Sequence, residues 1–168
     1  MRSIGRRDLE CPFDEQLLNG WRALHGSPVA FAFGHGLSYT TFSYEWASVP
    51  PGDLSAASLL PSAKSAALMP AALTFSVRVT NTGGLAGREV VQLYLSVPAA
   101  GEPPIALRTF GRTGLLQPGA SEELQLNVSA NDLSVWKGAW APVAGTFVVH
   151  IGASSRDIRL DASFAVTA

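Results

Sequence analysis

The sequence predicts an all-β chain, folded as an antiparallel sandwich of two sheets behind an irregular N-terminal arm. Three observations lead to this prediction. Apolar and polar residues alternate with a period of two in several short runs, as they do in half-buried strands. Turn-forming residues separate these runs. No apolar pattern with the 3.6-residue helical period persists long enough to supply the crossover helices of a parallel α/β sheet.

The composition is that of a chain with one hydrophobic core and little net charge. Of the 168 residues 47% are hydrophobic, which argues against disorder. Lys+Arg number 12 and Asp+Glu 13, for a net charge of -1, so we expect no nucleic acid partner. No run approaches the ~20 apolar residues of a membrane helix, and we expect no membrane partner.

Cysteine and histidine do not indicate a metal site, and no cofactor is expected. Cys11 is the one cysteine, so the chain cannot form an internal disulfide. His25, His35 and His150 are scattered, unlike the closely spaced ligands of a zinc site. Residues 1–10 are charged and lack the apolar stretch of a signal peptide, so the compartment is not predicted.

The predicted elements begin with an arm at residues 1–34, interpreted as a remnant of, or linker from, a preceding domain. Apolar residues stand at mixed spacing in it, at Leu17, Leu18, Trp21 and Leu24. This spacing fits either a short helix or an extended segment. Because an arm without a docking surface buries too little to offset its chain entropy, we expect residues 1–34 to be partly unstructured.

The sandwich is expected over residues 35–168. Its first strand should be Ser38 to Tyr44, which is rich in aromatic and β-branched residues. Residues 47–71 are dominated by Ala, Ser, Pro and Leu and predict a long loop, with one helical turn around Ala56 to Leu60. We interpret this loop as a low-complexity insertion, although long loops on a sandwich can also carry binding function.

The later strands are predicted from inward apolar rows and the turns between them. The rows are Leu73, Phe75, Val77 and Val79; Val91, Leu93, Leu95 and Val97; Leu124, Leu126 and Val128; Phe147, Val149 and Ile151; Ile158, Leu160, Ala162 and Phe164. A less regular strand is expected over residues 108–115, and turns at residues 81–84 and 117–119. Seven short strands with such turns are typical of immunoglobulin and fibronectin type III sandwiches.

The most informative run in the chain is Phe31-Ala32-Phe33-Gly34-His35-Gly36-Leu37-Ser38-Tyr39-Thr40. It resembles the Phe-Pro-Phe-Gly-His-Gly-Leu-Ser-Tyr-Thr segment that opens the C-terminal fibronectin type III-like domain of glycoside hydrolase family 3, the β-glucosidases and β-xylosidases. Further blocks resemble that domain in the expected order, at residues 79–83, 86–94, 107–112, 116–121, 132–136, 145–147 and 151–158. Upstream, Gly20-Trp21-Arg22 resembles the family's Gly-Tyr-Arg-Tyr segment, with Trp in place of Tyr.

The resemblance implies a non-catalytic accessory domain of a retaining O-glycosyl hydrolase that breaks down carbohydrates. In the family the nucleophilic Asp and the acid/base Glu belong to upstream domains, and no position here matches their motifs. Retaining hydrolysis requires two carboxyl groups about 5–5.5 Å apart, and the predicted strands place no such pair. The implied partners are the catalytic domains, in cis if the gene is longer, and the resemblance is compatible with secretion of the parent enzyme.

The residues expected to join this domain to the catalytic body form a docking motif. Its members are Trp21, Phe31, Phe33, Gly34, His35, Gly36 and Tyr39. His35 stands between two glycines with no carboxylate near it in sequence, which favours a hydrogen-bonded joint over a catalytic group.

Three other residues are assigned individual roles. Trp136 follows an apolar alternation and is interpreted as a core anchor. Trp140 stands in a predicted loop and is a candidate sugar contact, because an exposed indole can stack on a sugar ring of a polysaccharide or glycoside. Asn127-Val128-Ser129 is an N-glycosylation acceptor pattern, with Asn127 pointing outward.

Three functions therefore stand open. An accessory domain predicts an exposed apolar patch around Trp21, Phe31, Phe33 and Tyr39. A free-standing protein- or carbohydrate-binding module predicts an exposed aromatic strip that includes Trp140. An independent hydrolase that uses His35 and nearby acids predicts clustered carboxylates in a pocket.

Overall fold

The computed structural model describes residues 17–24, 26–48, 52–59 and 71–168. Within these ranges the strands are β1 Phe42–Trp46, β2 Leu54–Ser55, β3 Ala71–Asn81, β4 Val90–Ser96, β5 Ala106–Arg112, β6 Ser121–Ser129, β7 Ser134–Trp136, β8 Trp140–Pro142, β9 Gly145–Ser154 and β10 Asp157–Thr167. Single 3-10 turns lie at Gly20–Arg22, Ala56–Leu59 and Asn131–Leu133. The described ranges contain no helix of the length and apolarity needed to cross a membrane.

The strands form two main sheets, which confirms the predicted all-β sandwich. One sheet has the order β1-β3-β6, and the other has the order β2-β10-β9-β4-β5. The short strands β7 and β8 form a separate hairpin. Every pairing is antiparallel except that of β2 with β10, which is parallel.

The core lies where the inward rows of the two sheets meet. Nine of the predicted inward residues of β3, β4 and β9 have 0% exposure: Phe75, Val77 and Val79; Val91, Leu93 and Leu95; Phe147, Val149 and Ile151. They join one hydrophobic cluster with Leu126, Val128 and Phe164. Strict alternation places a whole apolar row on one face of a strand, so the sequence predicts these rows correctly.

The first strand begins later than expected, at Phe42 instead of Ser38. Residues 38–41 form no strand because hydrogen bonds outside the sheet ladder take the polar groups of Thr40. The Thr40 hydroxyl donates to Asn81 Oδ1 at 2.7 Å, and the Thr40 N–H donates to the Ser38 hydroxyl at 3.2 Å. Tyr39, in the middle of the predicted strand, is 96% exposed.

The segment predicted as a long loop contributes to the second sheet. Its predicted helical turn is confirmed at Ala56–Leu59, a 3-10 turn, and Leu59 is buried in the core. Just before it, Leu54 pairs with Val166 of β10, and Asp53 Oδ1 accepts a hydrogen bond from the Ala165 N–H at 2.8 Å. The rest of the insertion, residues 49–51 and 60–70, lies outside the described residues, as do Cys11 and His25.

Candidate functional site

The outer face of β4 is covered by the N-terminal arm. Gln92 and Tyr94 point away from the core by alternation, yet they are 6% and 0% exposed. The Trp21 ring lies edge-on to the Tyr94 ring, with centroids 6.2 Å apart. Trp21 in turn stacks on Phe33. The described part of the arm therefore has a docking surface on the sandwich itself, contrary to the expectation that it would lack one.

Hydrogen bonds fix the arm to β4 and to the turn between β9 and β10. Gln92 Nε2 donates to the carbonyl oxygens of Gly34 at 2.9 Å and Ala153 at 2.7 Å. The Tyr94 hydroxyl donates to Gln92 Oε1 at 2.6 Å, and burial raises the pKa of Tyr94 to about 12. The Ser155 N–H donates to the Phe33 carbonyl at 2.9 Å. The buried amide of Gln92 is thus satisfied by backbone carbonyls of the arm and of β9, and the buried phenol by the amide oxygen of Gln92.

The predicted docking motif divides into a bound half and an exposed half. Trp21, Phe33 and Gly34 contact the sheet as described above. Phe31 is 72% exposed and Tyr39 96% exposed, and Leu37, which was not among the predicted motif residues, is 92% exposed. His35 and Gly36 are also exposed. Segment 31–39 therefore presents bulky apolar side chains to solvent.

A groove of about 800 Å³ lies beside this segment. Its walls carry His35 from the segment, Glu89 from the loop before β4, and Asp157 and Arg159 from β10. Arg159 Nε and Nη2 donate to the two oxygens of Asp157 at 3.1 and 2.7 Å. Arg159 Nη1 donates to the Phe42 carbonyl at 2.9 Å, and its guanidinium lies 4.4 Å from the centroid of the Tyr44 ring.

The two carboxyl groups of the groove differ in their electrostatics. The hydrogen-bonded Arg159 guanidinium lowers the pKa of Asp157. Desolvation raises the pKa of Glu89, more than the hydrogen bond from the Val90 N–H and the charge of Arg159 lower it. Because both oxygens of Asp157 are held by Arg159, this carboxylate is bound as an ion pair and is not a free nucleophile.

The described residues contain no group of three or more His, Cys, Asp or Glu side chains placed to hold a metal ion. The exposed His35 ring donates no hydrogen bond to a carboxylate of the described residues, and its backbone N–H donates to the Ala32 carbonyl. The groove thus combines the Arg159–Asp157 ion pair with the carboxylate of Glu89, whose charged form is disfavoured by desolvation. This arrangement is suited to contact with another polar surface.

The interpretation of Trp136 as a core anchor is wrong. Trp136 is 64% exposed and lies directly opposite Trp140 in the β7–β8 hairpin, where Trp140 is 54% exposed. Their rings meet edge to face with centroids 5.7 Å apart. Ser134 and Val135 of β7 are buried and the strand leaves the core at Trp136, so the apolar run before Trp136 does not continue into the core.

Asn127 lies on the exposed face of β6, as the alternation predicts. Its Oδ1 accepts a hydrogen bond from the Thr74 hydroxyl at 2.8 Å. Glycosylation of Asn127 stays a prediction.

Comparison with known proteins identifies relatives over most of the chain. The sequence profile described as the fibronectin type III-like domain matches residues 89–155. The β-glucosidase cel3A of Pyricularia oryzae is 42% identical over 145 residues, which are 81% of this chain and 20% of that protein. The probable β-glucosidase L of Aspergillus fumigatus is 38% identical over 163 residues, 92% of this chain and 22% of that protein.

Solved structures show the same relationship. The β-glucosidase 3B of Thermotoga neapolitana, in complex with glucose, superposes with a TM-score of 0.72 and 35% identity over 93% of this chain and 20% of that chain. The β-D-glucoside glucohydrolase of Trichoderma reesei superposes with a TM-score of 0.76 and 32% identity over 92% of this chain and 23% of that chain. This chain thus spans about a fifth of the length of the curated relatives that it matches.

Proposed function

The chain belongs to the fibronectin type III-like domains of glycoside hydrolase family 3 β-glucosidases, and from that premise we propose that it is a non-catalytic accessory domain that docks on the catalytic domains of such an enzyme. The observation that carries this proposal is the exposed apolar segment 31–39. Phe31, Leu37 and Tyr39 expose 72%, 92% and 96% of their surface. Adjacent bulky apolar side chains at such exposure mark an interaction surface.

The position of the segment supports docking by a preformed surface. Gly34 is held by Gln92 and Phe33 by Ser155, so the backbone between the bound and exposed halves of the motif is anchored to the sheet. A surface held in place before binding loses less conformational entropy when its partner arrives. Phe31 also packs against the His35 ring, with centroids 5.2 Å apart, which places His35 within the proposed interface.

The groove beside the segment supplies the polar part of the same interface. Arg159 and Asp157 form a fixed ion pair, whereas Glu89 is partly desolvated without an ion pair of its own among the described residues. Protein interfaces combine an apolar centre with a polar rim whose charges select the partner. We infer that a cationic or hydrogen-bond-donating group of the catalytic domains meets Glu89.

The proposed catalysis belongs to the parent enzyme and not to this chain. Asp157 is paired with Arg159. Among the described residues that line the groove, this leaves Glu89 as the one carboxylate that is not paired with an arginine. The relatives compared above are β-glucosidases, which favours a β-glucoside over a β-xyloside as the substrate of the parent enzyme. The accessory domain would stabilise the catalytic body to which it is attached.

A domain exchange tests this proposal. In the β-glucosidase cel3A of Pyricularia oryzae, this chain would replace the matching fifth of the protein. We expect the chimera to hydrolyse a chromogenic β-glucoside and to keep its activity on heating. The double variant Leu37→Ser with Tyr39→Ser should lose activity at a lower temperature, by several degrees, because the docking surface becomes polar.

The control is Phe110→Ser, which changes a side chain that is 66% exposed on β5 and outside segment 31–39. This variant should inactivate at the temperature of the parent chimera. Equal heat resistance of the double variant and the parent chimera would contradict docking through this segment. If the parent chimera lost activity at the same temperature as the catalytic domains without this chain, the free-standing module would be favoured instead.

A further inference from the structure

A small pocket lies between the arm and the β7–β8 hairpin, apart from segment 31–39. Its volume is about 180 Å³. Arg22 lines it from the arm, Glu102 from the loop before β5, Arg108 from β5, and Trp136 and Trp140 from the hairpin. A volume below the ~300–1,000 Å³ of pockets for drug-sized ligands suits a single small ring.

The aromatic wall of the pocket is formed by two partly exposed indoles. Trp136 and Trp140 meet edge to face, so one ring supports the other and limits its rotation. Both keep more than half of their surface exposed. A fixed, exposed indole face costs little entropy when a ligand ring with an apolar face stacks on it.

Two arginines at the pocket have donors that are not used. The Nε–H groups of Arg22 and Arg108 are buried and have no hydrogen-bond partner within the described ranges. Arg108 Nη1 is 4.0 Å from Asp132 Oδ1, which leaves its Nε without an acceptor, and the Arg22 guanidinium lies 5.9 Å from the centroid of the Trp21 ring. A buried unpaired donor is costly, so a ligand whose acceptor oxygens are reached by a small rotation of either guanidinium would be stabilised.

The charge around the pocket selects a neutral ligand. Arg22 and Arg108 are balanced by Glu102, which lines the pocket, and by Asp132 beside Arg108. An anionic ligand would gain from the arginines but would be repelled by the two carboxylates. Vicinal hydroxyl groups, in contrast, can accept from the arginine Nε–H groups and donate to Glu102.

We propose that this pocket binds one neutral pyranose unit, stacked on Trp140 and hydrogen-bonded to Arg22, Arg108 and Glu102. The site does not depend on docking to a catalytic domain, because no residue of segment 31–39 lines it. In this site Trp136, Arg22, Arg108 and Glu102 contact the ligand together with the indole of Trp140.

The test is a titration of the full chain with methyl β-D-glucopyranoside, followed by the indole N–H signals of Trp136 and Trp140 in ¹H–¹⁵N spectra. We expect saturable shifts with a dissociation constant of about 1–10 mM, the affinity of one ring in a shallow site. Trp140→Ala and Arg22→Gln should each weaken binding at least tenfold. Neither change is expected to unfold the chain, since Trp140 is exposed and Arg22 is half-buried and outside the hydrophobic core.

Phe110→Ala is the matched control, because it removes an exposed aromatic side chain away from the pocket and should leave the affinity unchanged. Shifts that do not saturate, or that persist in Trp140→Ala, would overturn the proposal. Tighter binding of D-glucuronate than of the neutral glycoside would overturn the choice of ligand class.

Discussion

Trp21 and Phe33 stack almost parallel, with ring centroids 4.5 Å apart and an interplanar angle of 4°. The pair closes the arm on itself and covers Tyr94 on the outer face of β4. The arm and the sandwich therefore share a second, smaller apolar contact outside the main core.

Replacing Trp21 should loosen the arm. Trp21→Ala removes the stack on Phe33 and the cover of Tyr94, so we expect a loss of about 1–3 kcal/mol in the free energy of unfolding. Hydrogen exchange of the Ser155 amide, which donates to the Phe33 carbonyl, should become faster. Phe110→Ala should change the stability by less than about 0.5 kcal/mol. An unchanged exchange rate at Ser155 in Trp21→Ala would show that the stack does not hold the arm.

Gly34 and Gly36 should respond differently to the same substitution. Gly34 has φ +79, and a Cβ there would clash with Gln92 Oε1 and lie 2.8 Å from the Tyr94 hydroxyl oxygen. At Gly36 a Cβ would meet open space, and the backbone there has no positive φ. Gly34→Ala should therefore cost about 1–3 kcal/mol, and Gly36→Ala almost nothing. Thermal unfolding of both variants checks this, and similar melting temperatures would refute the role given to Gly34.

Asn81 should be far more sensitive to truncation than Asn127. Asn81 Nδ2 donates to the carbonyls of Leu85 at 2.8 Å and Leu116 at 2.9 Å. Its Oδ1 accepts from the Thr40 hydroxyl at 2.7 Å and the Gly83 N–H at 3.0 Å. Asn81→Ala removes these four hydrogen bonds and leaves their partner groups unsatisfied in a buried site. We therefore expect the free energy of unfolding to fall by about 3 kcal/mol or more.

Asn127→Ala is the control for Asn81→Ala, because Asn127 is exposed on β6. It should change the free energy of unfolding by less than about 0.5 kcal/mol. Urea denaturation of both variants measures the difference. Comparable midpoints would mean that the four hydrogen bonds of Asn81 do not stabilise the turn.

Glu89 should destabilise the isolated chain at neutral pH. Desolvation raises its pKa above the usual 4.5, so the folded state holds this proton more tightly than the unfolded state. The stabilising contribution is complete below pH 4.5 and is lost as the pH rises through the folded pKa. Glu89→Gln should therefore raise the melting temperature at pH 7 and have little effect at pH 4. A lower melting temperature at pH 7 would contradict this.

Asp157 should show the opposite pH dependence. Its pKa is lowered from 3.8, chiefly by the hydrogen bonds from Arg159, so its contribution is present above pH 3.8 and is lost as the pH falls through the folded pKa. Asp157→Asn should lower the melting temperature at pH 7, and the difference should shrink towards pH 2. Melting curves across pH 2–7 measure this, and a constant difference would refute the linkage.

The strands of the core could be predicted from the sequence, whereas the start of β1 and the pairing of β2 could not. The inward rows of β3, β4 and β9 follow from alternation alone, because the side-chain period of a strand is two. The start of β1 depends on the hydrogen bond from the Thr40 hydroxyl to Asn81, a residue far away in sequence. Likewise, the parallel pairing of Leu54 with Val166 joins distant segments and has no local signature.

The candidate site was only partly predictable for the same reason. The docking motif was identified by its resemblance to a family, and Trp140 by its residue type. Neither signal shows that Phe33 is held by Ser155 while Tyr39 is exposed, or that Arg22 from the arm meets Arg108 from β5 at one pocket. Trp136 was misplaced because an apolar alternation does not show which of its members leaves the core at a hairpin.

Local periodicity and the order of short motifs were enough to establish the all-β class, the inward rows and the relationship to family 3 β-glucosidases. Three other features became visible only in the folded chain: the arm covers Gln92 and Tyr94, Glu89 and Asp157 share a groove, and the hairpin tryptophans border a pocket. Each of these depends on contacts between segments distant in sequence. The free energy of these contacts comes from desolvation and hydrogen-bond geometry, which exist only after the chain has folded.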